Sequence, residues 1–95
     1  MKTITVQQFC GHYKVPNSFI ESLYEYELIT IIKIEKAQHI PTKQISTIER
    51  LMRLHYDLKI NFEGLDVINN LITQINQQQE EITLLSNKLE FYKEE

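Results

Sequence analysis

RLHYDLKINFEGLDVINNLITQINQQQEEITLLSNKLEFY, residues 53–92, carries the pattern that decides how this chain is organised. After Lys59-Ile60, Asn61 stands as a good N-cap, and Glu63 and Asp66 follow in or near the first turn, where the helix dipole favours carboxylates. No helix breaker follows Gly64, so one helix is expected to run to about Lys93. Within it Ile68, Ile75, Ile82 and Leu89 recur at heptad position a, with Leu71, Gln78, Leu85 and Tyr92 at d. Seven of these eight seam positions are apolar or aromatic, which identifies a coiled-coil face. Isoleucine at a with leucine at d favours two parallel strands, and the single polar Gln78 discourages other registers at some cost in stability. Homodimerisation through this helix is expected. The alternative is a seam folded back onto the head of its own chain, because a helix draws most of its stability from packing.

Working outward, Pro41-Thr42 opens a shorter helix in which Ile45, Ile48, Leu51, Met52, His55 and Leu58 form one apolar stripe at spacings of three and four. Before it, Leu28-Ile29-Thr30-Ile31-Ile32-Lys33-Ile34-Glu35 is rich in β-branched residues, and Lys36-Ala37-Gln38 can turn it back into His39-Ile40. A small β-ribbon, or wing, is expected there. Nearer the start, Thr5 and Gln8 have the capping-box spacing and open a helix through Val6, Phe9 and Cys10 toward His12, with Gly11 blurring its end. Asn17 or Ser18 then caps a second helix to about Glu27, in which Phe19, Ile20, Leu23 and Tyr24 make the apolar face.

With 95 residues the chain has room for one small domain and a projecting helix, and a core of that size benefits from a partner subunit. Its 42% hydrophobic and 24% charged residues are those of an ordinary folded protein. No apolar run reaches the roughly 20 residues needed to cross a bilayer, and MKTITVQQF holds no apolar block of signal-peptide length. With Cys10 as its single cysteine, the chain is expected in a reducing, cytoplasmic compartment. Residues 1–58 carry 7 basic and 6 acidic side chains, whereas residues 59–95 carry 3 and 7. A basic stripe of the kind that holds DNA by its phosphates is missing.

Chemistry finds little purchase in these residues. Cys10 and His12 lack the further ligands of a zinc site, and His39 and His55 have no identifiable partner for acid–base work. Cys10 reads as a small core residue and His55 as a boundary histidine, and the two isolated glycines form no phosphate-cradling loop. No enzyme, cofactor or metal site is expected.

Helix, turn, helix, β-ribbon, helix and long terminal helix is a layout similar to that of MerR-family regulators, with Val15 to Ile29 matching the stretch from the turn through the recognition helix. Arg53-Leu54-His55-Tyr56-Asp57-Leu58-Lys59-Ile60-Asn61 followed by Gly64-Leu65-Asp66-Val67-Ile68 more specifically resembles the MerR-like chaperone modulators of the CbpM type. The resemblance implies a mainly α fold: a MerR-like winged helix-turn-helix head over residues 1–60, with a small β-ribbon, and a long C-terminal coiled-coil helix over residues 61–95. It also implies a bacterial protein that binds the J domain of a DnaJ-like, CbpA-type co-chaperone and restrains it. Such domains carry a basic helix.

DNA-binding MerR proteins present Arg and Tyr from the second helix, but Ser18 to Glu27 here contains Glu21, Glu25 and Glu27 with no Lys or Arg. Acid in that place suits a basic protein surface, so Glu21, Tyr24, Glu25, Tyr26 and Glu27 are the expected partner-binding residues. Glutamates that merely solvate the face are the simpler reading of the same residues. Two other functions stay open: a MerR-like transcription regulator that sets Lys33, Lys36, Lys43, Arg50 and Arg53 against phosphates, and a coiled-coil module whose head binds another protein.

Overall fold

Thr5 is where the first strand, β1 (Thr3–Thr5), becomes the first helix, α1 (Val6–Tyr13). Its Oγ1 accepts the Gln8 N–H at 3.0 Å while Gln8 Oε1 accepts the Thr5 N–H at 3.2 Å, the reciprocal capping box expected from the spacing. These features come from a computed structural model that describes residues 2–93, with side chains as far as Phe91. Gly11 lies inside α1, which ends instead at Lys14, whose φ of 57° is the left-handed conformation that turns a chain out of a helix.

The second helix, α2 (Asn17–Glu25), begins earlier than the capping residues suggest. Extended backbone at Pro16 supplies the N-cap without any side-chain bond, so neither Asn17 nor Ser18 caps it. The Pro16 carbonyl accepts the Phe19 N–H at 3.1 Å, and the fixed proline φ makes this entry inexpensive without a polar cap. Glu27, at φ 60°, closes the helix and delivers Leu28 and Ile29 to the core as an apolar loop, where a strand was expected.

Strands β2 (Ile32–Ile34) and β3 (Ala37–Pro41) form the anticipated ribbon, with the turn at Glu35-Lys36. Both turn residues have positive φ, 48° and 68°, the backbone of a two-residue hairpin whose twist matches that of its strands. The third strand was not expected: β1 pairs with β3, placing Ile4 opposite Ile40 in an antiparallel sheet of order β1-β3-β2.

Pro41 belongs to β3, and a single 3₁₀ turn at Thr42–Gln44 leads into α3 (Ile45–Met52) rather than the helix opening at Pro41. Ile48 and Leu51 are fully buried, and Ile45, Met52 and His55 are half-buried, as the apolar stripe required. Leu58 departs from that stripe and is 64% exposed. Residues Arg53–Asp57 form a π turn, whose extra residue per turn rotates the following side chains, so Leu54 meets the core in place of Leu58.

Lys59, at φ 56°, then reverses the chain, and Ile60 N–H returns to Leu54 O at 3.2 Å. Asn61 Oδ1 accepts the Gly64 N–H at 2.8 Å, the cap expected for the last helix, α4 (Phe62–Lys93). Its 32 residues span about 48 Å. Leu65 closes the core formed by Phe9, Ile20, Leu23, Ile40, Ile48 and Leu51, and from Thr73 to Phe91 every described side chain is exposed. α4 therefore leaves the head rather than folding back over it.

The two glycines are expected to respond oppositely to a methyl group. A Cβ on Gly64 would lie 2.7 Å from Ile60 Cγ2 and 3.1 Å from the capping Asn61 Oδ1, whereas one on Gly11 meets nothing within 4 Å. Gly11→Ala should stabilise the chain by about 0.5–1 kcal/mol through helix propensity, and Gly64→Ala should destabilise it by about 1–2 kcal/mol through overpacking. Thermal unfolding followed by circular dichroism checks both, and equal gains at the two positions would contradict this packing at the α4 entrance.

Candidate partner-binding surface

Phe19, Ile20 and Leu23 turn one side of α2 into the core, which fixes what the other side offers. Glu21, Tyr24 and Glu25 are exposed at spacings of three and four on that outer side, with the Tyr24 ring 52% exposed. Glu27 stands exposed at the corner beyond the helix, where its N–H donates to Tyr24 O at 3.0 Å. Between the helix end and the following loop lies an open groove of about 390 Å³, lined by Tyr24, Glu25, Glu27, Ile29 and Thr30.

Tyr26 is drawn away from this face. It is half-buried, its hydroxyl donates to Glu63 Oε1 at 3.2 Å, and its ring stacks on Phe62 with centroids 5.9 Å apart. The Glu63 carboxylate, before all other causes, holds the Tyr26 phenol above its ordinary pKa, because a phenolate beside it would be repelled. Three of the five expected partner-binding residues, Tyr24, Glu25 and Glu27, therefore line one groove; Glu21 is exposed one turn back on α2, and Tyr26 ties α2 to α4. Ile29 and Thr30, which also line the groove, lie in a run expected as strand, because strand and buried loop look alike in a short β-branched stretch.

An aromatic cluster joins the first turn of α2 to the chain reversal before α4. Phe19 lies 5.3 Å from His55, 5.3 Å from Tyr56 and 5.9 Å from Phe62, and His55 stacks on Phe62 at 4.7 Å. His55 Nδ1 lies 2.8 Å from Ile60 O, so that nitrogen carries the proton and donates to the carbonyl. The histidine thus has a structural partner at the boundary of the core. Cys10 is buried, which raises its thiol pKa and keeps the thiolate scarce. Among the described residues no group of three His, Cys, Asp or Glu is placed to hold a metal ion.

The basic side chains Lys33, Lys36, Lys43, Arg50 and Arg53 are spread over the hairpin, the 3₁₀ turn, α3 and the π turn. Lys33 and Lys36 are exposed on the hairpin and Lys43 on the 3₁₀ turn. Arg50 lines a crevice against Asn69 of α4, its Nη2 3.5 Å from Asn69 Oδ1, while Arg53 lines a different cleft with Tyr13, Glu49 and Asp57.

On α4, Leu65, Asn69 and Ile72 lie toward the head, and the heptad seam runs roughly a third of the way round the helix from them at about 100° per residue. Ile68 is half-buried at the seam's start, and Leu71, Ile75, Ile82, Leu85 and Leu89 are all more than half exposed. Gln78 is exposed among them, and the Tyr92 side chain lies outside the described residues. No described helix is long and apolar enough to cross a membrane.

A protein-family model described as MerR HTH family regulatory protein matches residues 4–87. The chain belongs to this family. No curated protein and no solved structure matches it. In this MerR chain α1, the Lys14–Pro16 turn and α2 form the helix-turn-helix, the β2–β3 hairpin is the wing, and the match extends along α4 to Asn87. The MerR fold is thus joined to a second helix whose outer face is acidic and aromatic.

The link between Tyr26 and Glu63 carries its own expectation. With Glu63→Gln the main cause of the raised phenol pKa disappears, so one of the five tyrosines should titrate at lower pH than in the parent chain. Ultraviolet absorbance against pH measures this, and an unchanged tyrosine titration would remove Glu63 as the cause.

Proposed function

We propose that this MerR-family chain is a non-enzymatic chaperone modulator: it binds the J domain of a DnaJ-like, CbpA-type co-chaperone and inhibits it, acting as a homodimer in the bacterial cytoplasm. The observation that carries the reading is the outer face of α2, where Glu21, Tyr24 and Glu25 are exposed and no Lys or Arg occurs from Asn17 to Glu27. Phosphates are repelled by such a face, whereas a basic helix is steered toward it. The resemblance of residues 53–68 to CbpM-type modulators supplies the partner class, since J domains carry a basic helix. Inhibition needs no chemistry: occupying the surface by which the J domain reaches its chaperone ATPase is sufficient.

The second reading, a MerR-like transcription regulator, draws on family membership and on the exposed wing lysines Lys33 and Lys36. Of its other basic residues, Lys43 is exposed on the 3₁₀ turn while Arg50 and Arg53 line separate grooves, which is poor geometry for a phosphate stripe.

Carboxylates and aromatic rings should fail differently when changed, because charge acts mostly on encounter and buried aromatic area on dissociation. Glu21→Lys with Glu25→Lys is expected to slow association with a J domain by about tenfold or more and to flatten its salt dependence, while Tyr24→Ala speeds dissociation. Stopped-flow or surface-based kinetics at several ionic strengths measure both effects, with duplex DNA from upstream of the gene as a parallel arm. Tight, sequence-selective duplex binding at physiological salt, without J-domain binding, would hand the function to the regulator reading.

Dimerisation rests on the exposed seam of α4. Each aliphatic side chain buried there contributes about 1.5–3 kcal/mol, and a charge in the seam adds a desolvation cost. Ile82→Glu with Leu85→Glu should therefore halve the mass measured by light scattering while leaving the head folded, since neither residue touches it. A parent chain that is already monomeric at micromolar concentration would end the dimer proposal.

A further inference from the structure

The groove at the C-terminal corner of α2 has a construction that the acidic face alone does not explain. The exposed Tyr24 lines it together with Thr30 and with Ile29, which is otherwise buried in the core. Glu25 and Glu27 complete the lining, and among the described residues neither carboxylate has a Lys or Arg partner. The backbone holds these parts in place. Glu27 N–H donates to Tyr24 O at 3.0 Å, and Thr30 N–H donates to Gln44 Oε1 at 3.0 Å, so both ends of the loop are fixed to neighbouring elements.

An exposed aromatic ring, an aliphatic residue and two carboxylates with no Lys or Arg partner among the described residues line this open groove of about 390 Å³, which has room for a long cationic side chain. The geometry points to a pocket for a single arginine of the partner's basic helix, an inference that rests on the protein-binding reading above. The aliphatic stem of an arginine covers the apolar part of the lining, its planar guanidinium stacks on the Tyr24 ring, and its fork of N–H donors pairs with the Glu25 and Glu27 carboxylates. Lysine satisfies this site less well: a compact ammonium has no plane to stack and is more strongly hydrated. The pocket thus reads which cation the partner presents, a distinction that charge attraction along α2 cannot make.

Two amphipathic helical peptides, identical except that every basic residue is arginine in one and lysine in the other, test the pocket beside a DnaJ-type J domain. Titration calorimetry with the full chain should give about three- to tenfold tighter binding of the arginine peptide. Tyr24→Leu, which keeps apolar area at an exposed position, should abolish that preference while both peptides still bind with similar salt dependence. Glu25→Gln with Glu27→Gln should weaken the arginine peptide more than the lysine peptide. Equal affinities for the two peptides in the parent chain, or a preference that survives Tyr24→Leu, would overturn the pocket while leaving J-domain binding intact. If the parent chain binds neither the J domain nor either peptide, the protein-binding function itself falls.

Discussion

The chain reversal between Arg53 and Gly64 is the constraint on which the rest of the molecule depends. A π turn at Arg53–Asp57, left-handed backbone at Lys59, a return bond from Ile60 N–H to Leu54 O and the Asn61 cap follow one another within twelve residues. Each removes freedom from the next, and together they aim α4 so that Leu65 enters the core. His55 stabilises the same reversal by donating to the Ile60 carbonyl, which would otherwise lack a helical partner at this point. Without this turn, α4 would be an unattached amphipathic helix and the small head would lose one wall of its core.

What was legible in the sequence was set by local spacing. The unbroken run of α4, the Thr5–Gln8 capping box and the apolar stripe of α3 through Met52 depend on local spacing, and all survive in the structure. The displaced features have other origins. Three residues of β1 are too few to show alternation, and their pairing with β3 joins positions 34 to 38 apart. Glu35, Lys36 and Lys59 adopt positive φ without the glycine or asparagine that normally announces it, so both turns were blurred. The π turn is silent because Leu54 and Leu58 both fit a helical repeat until one extra residue per turn chooses between them. At the candidate surface, Glu21, Tyr24 and Glu25 were readable from helix phase alone, whereas the removal of Tyr26 by Glu63 is a contact between residues 37 apart.

The fold and its surface charge answer separate questions. A buried set of Phe9, Ile20, Leu23, Ile40, Ile48, Leu51 and Leu65 is indifferent to the charge carried on the outer side of α2, so a helix-turn-helix can be kept while its ligand class changes. Replacing base by acid on a face that makes no core contact costs little stability, since surface substitutions usually fall within about 0.5 kcal/mol. The same change inverts the long-range field felt by an approaching partner.

The acidic corner and α4 are nevertheless connected through Tyr26, which sits between Glu25 and Glu27 in the chain and reaches Glu63 at the start of α4. Magnitudes decide what that connection does. An exposed hydrogen bond contributes about 0.5–1.5 kcal/mol, too little to set the direction of a 32-residue helix. Burial of Leu65 contributes about 1.5–3 kcal/mol, and the stack of Phe62 on His55 and Tyr26 adds about 0.5–1.5 kcal/mol per pair. The apolar contacts therefore orient α4, and the Tyr26–Glu63 bond has the narrower effect of holding the tyrosine inward. That inward position leaves Tyr24 as the exposed ring at the corner.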